Sequence, residues 1–364
     1  MKYCSNCGNL LSDIDKFCDS CGRNVDAGNS QPITNLVDEK GSIIDSLNEY
    51  VGNTNSVNLN WKDLFTDVFK SHSVDEAEDI FICGTKKTTP LLSEVSATWP
   101  RPWLYSRVFF IFVLTFILLR VCWDFFNNTN VIPGMIAVGA FTVPLTTLIF
   151  FLEVNAFRNI SVYYIVKTLL VGGCASLVAT LFLFSIIGFG EMDFAGACMI
   201  GIIEEVGKVI IVYFYTKRLL SCNFILNGLL IGASVGAGFA AFESSGYAFN
   251  ILVNGYGLDM MMDNIYLRGF LAPGGHITWA AISGAAIMIA KGNKALTFEV
   301  FLNKRFWRIF FIPVVLHAVW DMPLNIGSDI YLIPCVLTLA VWVVVLILIN
   351  MGLDEVKQYN TVEE

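Results

Sequence analysis

Apolar runs of membrane length recur along the second two-thirds of this chain, and they constrain its fold more than any other feature. Eight stretches lie at roughly 106–123, 132–152, 162–188, 194–216, 224–250, 269–290, 309–326 and 330–351. Each is near the ~20 apolar residues that a bilayer core requires. Backbone in hydrocarbon must satisfy its own N–H and C=O groups, so such runs become helices. The expected fold is an all-α polytopic membrane protein with about eight transmembrane helices. Composition agrees. The 364 residues are 55% hydrophobic and 15% charged, and the mean hydropathy is +0.63, too apolar for a soluble chain. Residues 1–100 differ: they hold 8 Lys/Arg and 15 Asp/Glu and no membrane-length run, whereas residues 101–364 hold 15 and 16. Most of the formal charge of −8 thus belongs to a soluble N-terminal part. No basic patch points to nucleic acid.

Charge in the short connections predicts the orientation. Arg158, Lys217, Arg218, Lys291, Lys294, Lys304, Arg305 and Arg308 fall in the second, fourth and sixth loops, while Arg268 is the sole basic residue of the odd-numbered ones. The alternation predicts an integral membrane protein with both termini in the cytoplasm. The first apolar run begins after residue 105, so no cleavable signal peptide is expected.

The N-terminus carries Cys4-x2-Cys7 and Cys18-x2-Cys21, with glycine after each second cysteine. Four thiolates at this spacing predict a tetrahedral structural Zn²⁺ site in a small ribbon over 1–24. A reducing cytoplasm argues against disulfides. Residues 25–60 are polar and rich in Asn, Asp and Ser, which predicts a flexible linker. Residues 61–105 form a juxtamembrane segment, where Trp61, Leu64, Phe65, Val68 and Phe69 repeat at helical spacing and predict a short amphipathic helix. The membrane domain is expected over 106–351, followed by a cytoplasmic tail at 352–364. Partners on this reading are the bilayer and a cytoplasmic protein recruited by the ribbon.

Ionisable residues inside apolar runs mark function. Each such charge costs roughly 2.5–3.5 kcal/mol to insert. Glu204 and Glu205 stand together within 194–216, with Lys208 one turn from Glu204 and able to pair with it. Glu243, His276, His317 and Asp321 lie in the next three runs. Counted from the predicted outer ends at ~1.5 Å per residue, Glu204, Glu243, His276 and His317 share one level. Equal depth predicts a single polar cavity in the outer half of the bilayer. A glutamate among apolar walls can act as a general base, and imidazoles can hold a metal or stabilise an oxyanion. Peptide hydrolysis inside a membrane needs such a combination. No H-E-x-x-H pattern is present.

At these residues the sequence resembles the PrsW family of intramembrane proteases, related in design to the C-a-a-X prenyl protease and bacteriocin-immunity superfamily. The family's E-E-x-x-K pattern is Glu204-Glu205-Val206-Gly207-Lys208, and its F-x-x-x-E pattern is Phe239 to Glu243. A third motif centres on His276 in GGHITWA, and the fourth runs from His317 to Asp321. The resemblance implies hydrolysis of membrane-anchored proteins near the outer face of a prokaryotic cell membrane, anti-sigma factors being the best-known substrate type. It implies Glu204 or Glu205 as the base and Glu243, His276 and His317 as metal ligands or oxyanion stabilisers. Asp321 would orient His317 or join the ligands, and Lys208 would neutralise one glutamate. A catalytic Zn²⁺ and a metal-free, glutamate-driven mechanism both satisfy the motifs. A non-catalytic sensor that recruits partners through the ribbon is the alternative reading. An ion-coupled transporter is another, though no inverted repeat supports it.

Overall fold

The computed structural model describes residues 2–3, 10–11, 43–53, 59–188, 193–219, 222–324 and 332–362. The chain divides into two compact units, Met1–Gly41 and Ser42–Glu364. In the first, β1 (Lys2–Tyr3) and β2 (Leu10–Leu11) pair antiparallel, with Lys2 opposite Leu11. The expected zinc ligands Cys4, Cys7, Cys18 and Cys21 lie outside the described residues.

The second unit is helical. Three short helices come first: α1 (Ile43–Val51), α2 (Asp63–Thr66) and α3 (Val74–Phe81). Then follow α4 (Leu104–Phe126), α5 (Ile132–Val154), α6 (Val162–Lys167), a π-helical stretch Thr168–Gly172, and α7 (Gly173–Ile187). The remainder comprises α8 (Phe194–Arg218), α9 (Ile225–Val253), α10 (Gly257–Leu271), α11 (His276–Lys291), α12 (Lys304–Asp321) and α13 (Leu332–Val362). Five helical rods are long and apolar enough to cross a membrane: Leu104–Phe126, Thr129–Val154, Val162–Ile187, Ile225–Val253 and Leu332–Gln358. The other three expected spans are also helices, α8, α11 and α12. α8 and α12 carry several charges, and α11 is only 16 residues long. In α11, every residue from Ile277 to Met288 is buried.

Several expectations need correction. The linker assigned to 25–60 contains α1, because Leu47 and Val51 pack into the main apolar core. The amphipathic helix expected from Trp61 to Phe69 is a single turn, α2. Leu64 and Val68 turn inward there, while Phe65 and Phe69 stay exposed. A new helix, α3, starts soon after, at a capping box in which Ser73 and Glu76 each accept the other's backbone N–H. The tail at 352–364 continues α13 to Val362, with Leu353 and Val356 buried and Glu355 accepting from the Ile225 N–H at the start of α9. The fifth loop holds α10, whose Met261, Met262 and Ile265 join Phe116, Met135 and Ala248 in a separate apolar cluster. Finally, the sixth run is not one helix. Pro273 offers no N–H and is followed by Gly274 and Gly275, so a short 3-10 turn at Ala272–Gly274 separates α10 from α11. His276 is consequently the first residue of α11, so counting its depth along an unbroken span does not apply.

Two glycines let the site-bearing helices close on one another. A Cβ on Gly201 of α8 would lie 2.8 Å from the Ala318 backbone nitrogen of α12. A Cβ on Gly236 of α9 would lie 2.3 Å from the His276 carbonyl oxygen of α11. Both contacts are backbone to backbone, so nothing larger than hydrogen fits.

Candidate active site

Glu204, Glu205 and Lys208 sit in the middle of α8, one turn beyond the close approach at Gly201. Lys208 is fully buried. Its nearer partner is Glu205, not the Glu204 expected from the sequence. Nζ lies 2.6 Å from Glu205 Oε1 and 3.9 Å from Glu204 Oε2. The ammonium also approaches His276 Nδ1 at 2.9 Å and sits over the Phe239 ring at 4.6 Å.

These partners define the two imidazoles. A carboxylate only accepts and an ammonium only donates. His276 therefore donates its Nε2–H to Glu243 Oε2 at 3.0 Å and leaves Nδ1 as an acceptor. His317 donates its Nδ1–H to Glu205 Oε1 at 2.8 Å. Both rings turn the remaining nitrogen toward Glu204, whose Oε2 is 3.8 Å from His276 Nδ1 and 3.7 Å from His317 Nε2. Asp321 Oδ2 lies 3.3 Å from the same His317 nitrogen. Glu204 Oε2 is buried and has no hydrogen-bond partner. The Trp279 ring stacks on His317 at 4.3 Å and stands edge-on to His276 at 5.2 Å, bracing both.

Glu204, Glu243, His276, His317 and Asp321 border one cavity of about 670 Å³, walled on one side by Leu177, Leu181 and Phe184 of α7. Glu205 lies behind it, fully buried. Three residues here escaped the sequence reading. Arg268 of α10 pairs with Glu243, Trp279 supports the histidines, and Trp320 packs edge-on to Trp279. Arg268 did leave a trace in the sequence as the lone basic residue of the odd-numbered loops.

Residues 160–349, half of the chain, match the family described as PrsW family intramembrane metalloprotease. The chain belongs to the PrsW family. It is accordingly a peptidase of the membrane. A zinc-ribbon domain matches residues 3–25, which span the four cysteines. Protease PrsW of Halalkalibacterium halodurans is 24% identical over 201 residues, covering 53% of this chain and 85% of that protein. No solved structure matches the chain.

The name of the PrsW family implies a metal, and the cluster suits one. Among the described residues, Glu204, His276 and His317 each offer a ligand atom, all within 4.8 Å of one another. His317 Nε2 faces Glu204 Oε2 at 3.7 Å and Asp321 Oδ2 at 3.3 Å, a donor set that suits a cation. Four carboxylates, Glu204, Glu205, Glu243 and Asp321, face two cations, Lys208 and Arg268. The hydrogen bonds from the far side of each ring to Glu243 and Glu205 are the outer contacts that orient ligating histidines.

Proposed function

We propose that this PrsW-family peptidase cuts membrane-anchored proteins near the outer face of the membrane, with Glu204 activating the attacking water. The observation that carries this reading is the uncommitted, buried Glu204 oxygen between two imidazole nitrogens on the wall of a polar cavity. Glu243 is tied to Arg268 and His276, and Glu205 to Lys208 and His317. Glu204 thus retains an oxygen to take a proton.

Water held there loses its proton to Glu204 as its oxygen bonds to the scissile carbonyl carbon and the C=O π pair moves onto the carbonyl oxygen, returning when the C–N bond breaks. Glu204 then passes that proton to the amide nitrogen as the C–N bond breaks. Glu243 and Glu205 hold His276 and His317 in the tautomers that face the reaction, and Lys208 fixes Glu205. With Glu204 acting as the base, His276 and His317 would be left to hold a divalent metal, which supplies Lewis acidity when bound. The orientation rests on the basic residues that end α8 and α11 and open α12, which favour the cytoplasmic side. Both termini then lie in the cytoplasm, and the ribbon, with Zn²⁺ on Cys4, Cys7, Cys18 and Cys21, recruits a cytoplasmic partner.

The test is a comparison of membrane proteomes from cells expressing the wild type or Glu204→Gln. Single-span proteins that lose an outer domain only with the wild type are the expected result. Equal release by both proteins overturns the mechanism.

A further inference from the structure

We infer that Arg268 is a positioning residue for this reaction, acting through Glu243 to fix the orientation of His276. The inference rests on the proteolytic reading above and adds a residue outside the four motifs. Arg268 lies near the end of α10, which lines the cavity with Asn264, Leu267 and Leu271. Its Nη2 pairs with Glu243 Oε2, the same oxygen that accepts the His276 Nε2–H. Its Nε donates to Ser244 Oγ at 2.8 Å, and its guanidinium lies 4.5 Å from the centre of the Tyr247 ring. Three residues of one face of α9 thus grip the guanidinium, which leaves it little freedom.

The consequence follows from a chain of partners. Arg268 holds the Glu243 carboxylate, and Glu243 takes the proton on His276 Nε2. His276 Nδ1 is then left facing Lys208 and Glu204. Without the guanidinium, Glu243 is free to swing into the cavity, and His276 loses the contact that sets its tautomer. A planar fork with several donors suits this shared carboxylate oxygen better than a point charge.

Two measurements on the full-length protein decide the matter. In proteoliposomes with a fluorogenic single-span peptide, Arg268→Gln is expected to lower kcat by about 10–100-fold, the usual effect of losing a contact that orients a functional histidine. KM should hold within about twofold, because no substrate contact is lost. Arg268→Lys should recover part of the rate. In a Glu243→Gln background, Arg268→Gln should add no further loss, since both act along one path. Independently of any substrate, ¹⁵N-histidine spectra can report the tautomer, because the chain has only three histidines. The His276 nitrogen signals should move in Arg268→Gln and return toward wild type in Arg268→Lys, with His317 changing less. Multiplicative losses in the double variant, a raised KM at constant kcat, or an unmoved His276 signal each overturn the inference. Failure of the wild type to cleave any membrane protein would instead sink the proteolytic reading, and the spectra would still judge Arg268.

Discussion

Two adjacent glutamates in α8 have separate tasks because a helix turns about 100° per residue. Glu204 borders the cavity, whereas Glu205 is fully buried against Lys208 and His317. Glu204→Gln should fold and insert normally yet lower kcat by about 10²–10⁴-fold, the usual effect of losing a general base. Thermal unfolding in detergent beside the cleavage assay separates the two effects. Glu205→Ala should behave differently, since it leaves a buried lysine without its closest carboxylate. Removing one partner of a buried pair destabilises by about 3–5 kcal/mol, and the measurable sign is a lowered unfolding midpoint. The sequence singled the pair out as a candidate for function but did not show which member faced the cavity. Helical phase became meaningful only once α9, α11 and α12 surrounded α8.

At the scale of elements, the apolar runs named the helices well, because burial in lipid or in a helical core demands the same side chains. Misreadings fell where polarity and structure part company. The α10 segment mixes Asp259, Asp263, Asn264 and Arg268 with three methionines, so it read as a loop. Its buried face is supplied by Phe116 and Met135 from elsewhere in the chain. The close approach of α9 to α11 yields a further prediction. Gly236→Ala places a methyl against the His276 carbonyl oxygen and should push the start of α11 outward. Crowding of this kind typically costs about 1–3 kcal/mol. The variant should lose more activity than its fall in thermal stability accounts for, whereas Gly246→Ala on the same helix, where a Cβ meets nothing, should be silent on stability. Equal behaviour of the two would show that the approach at Gly236 does not position His276.

Over the whole molecule, the proposed reading gives the zinc ribbon and the membrane domain different chemistry. Four thiolates leave no open position for water. Deleting residues 1–30 should therefore remove a single zinc per chain, read by metal analysis, while cleavage of an unregulated substrate continues. A properly inserted deletion variant that is inactive toward every substrate would refute that separation. Reporter fusions at the odd-numbered loops should appear outside the cell, and a cytoplasmic signal there would reverse the proposed orientation. The sequence alone determined that the chain is a helical membrane protein and where most of its helices run, and it offered seven ionisable side chains of the membrane part as one candidate site. It could do so because a charge in hydrocarbon is too costly to keep without use. Tertiary structure alone decided that Lys208 pairs with Glu205 and that Arg268 reaches Glu243 from a helix read as a loop. Those relations depend on distances between separate helices, which packing sets and local sequence does not encode.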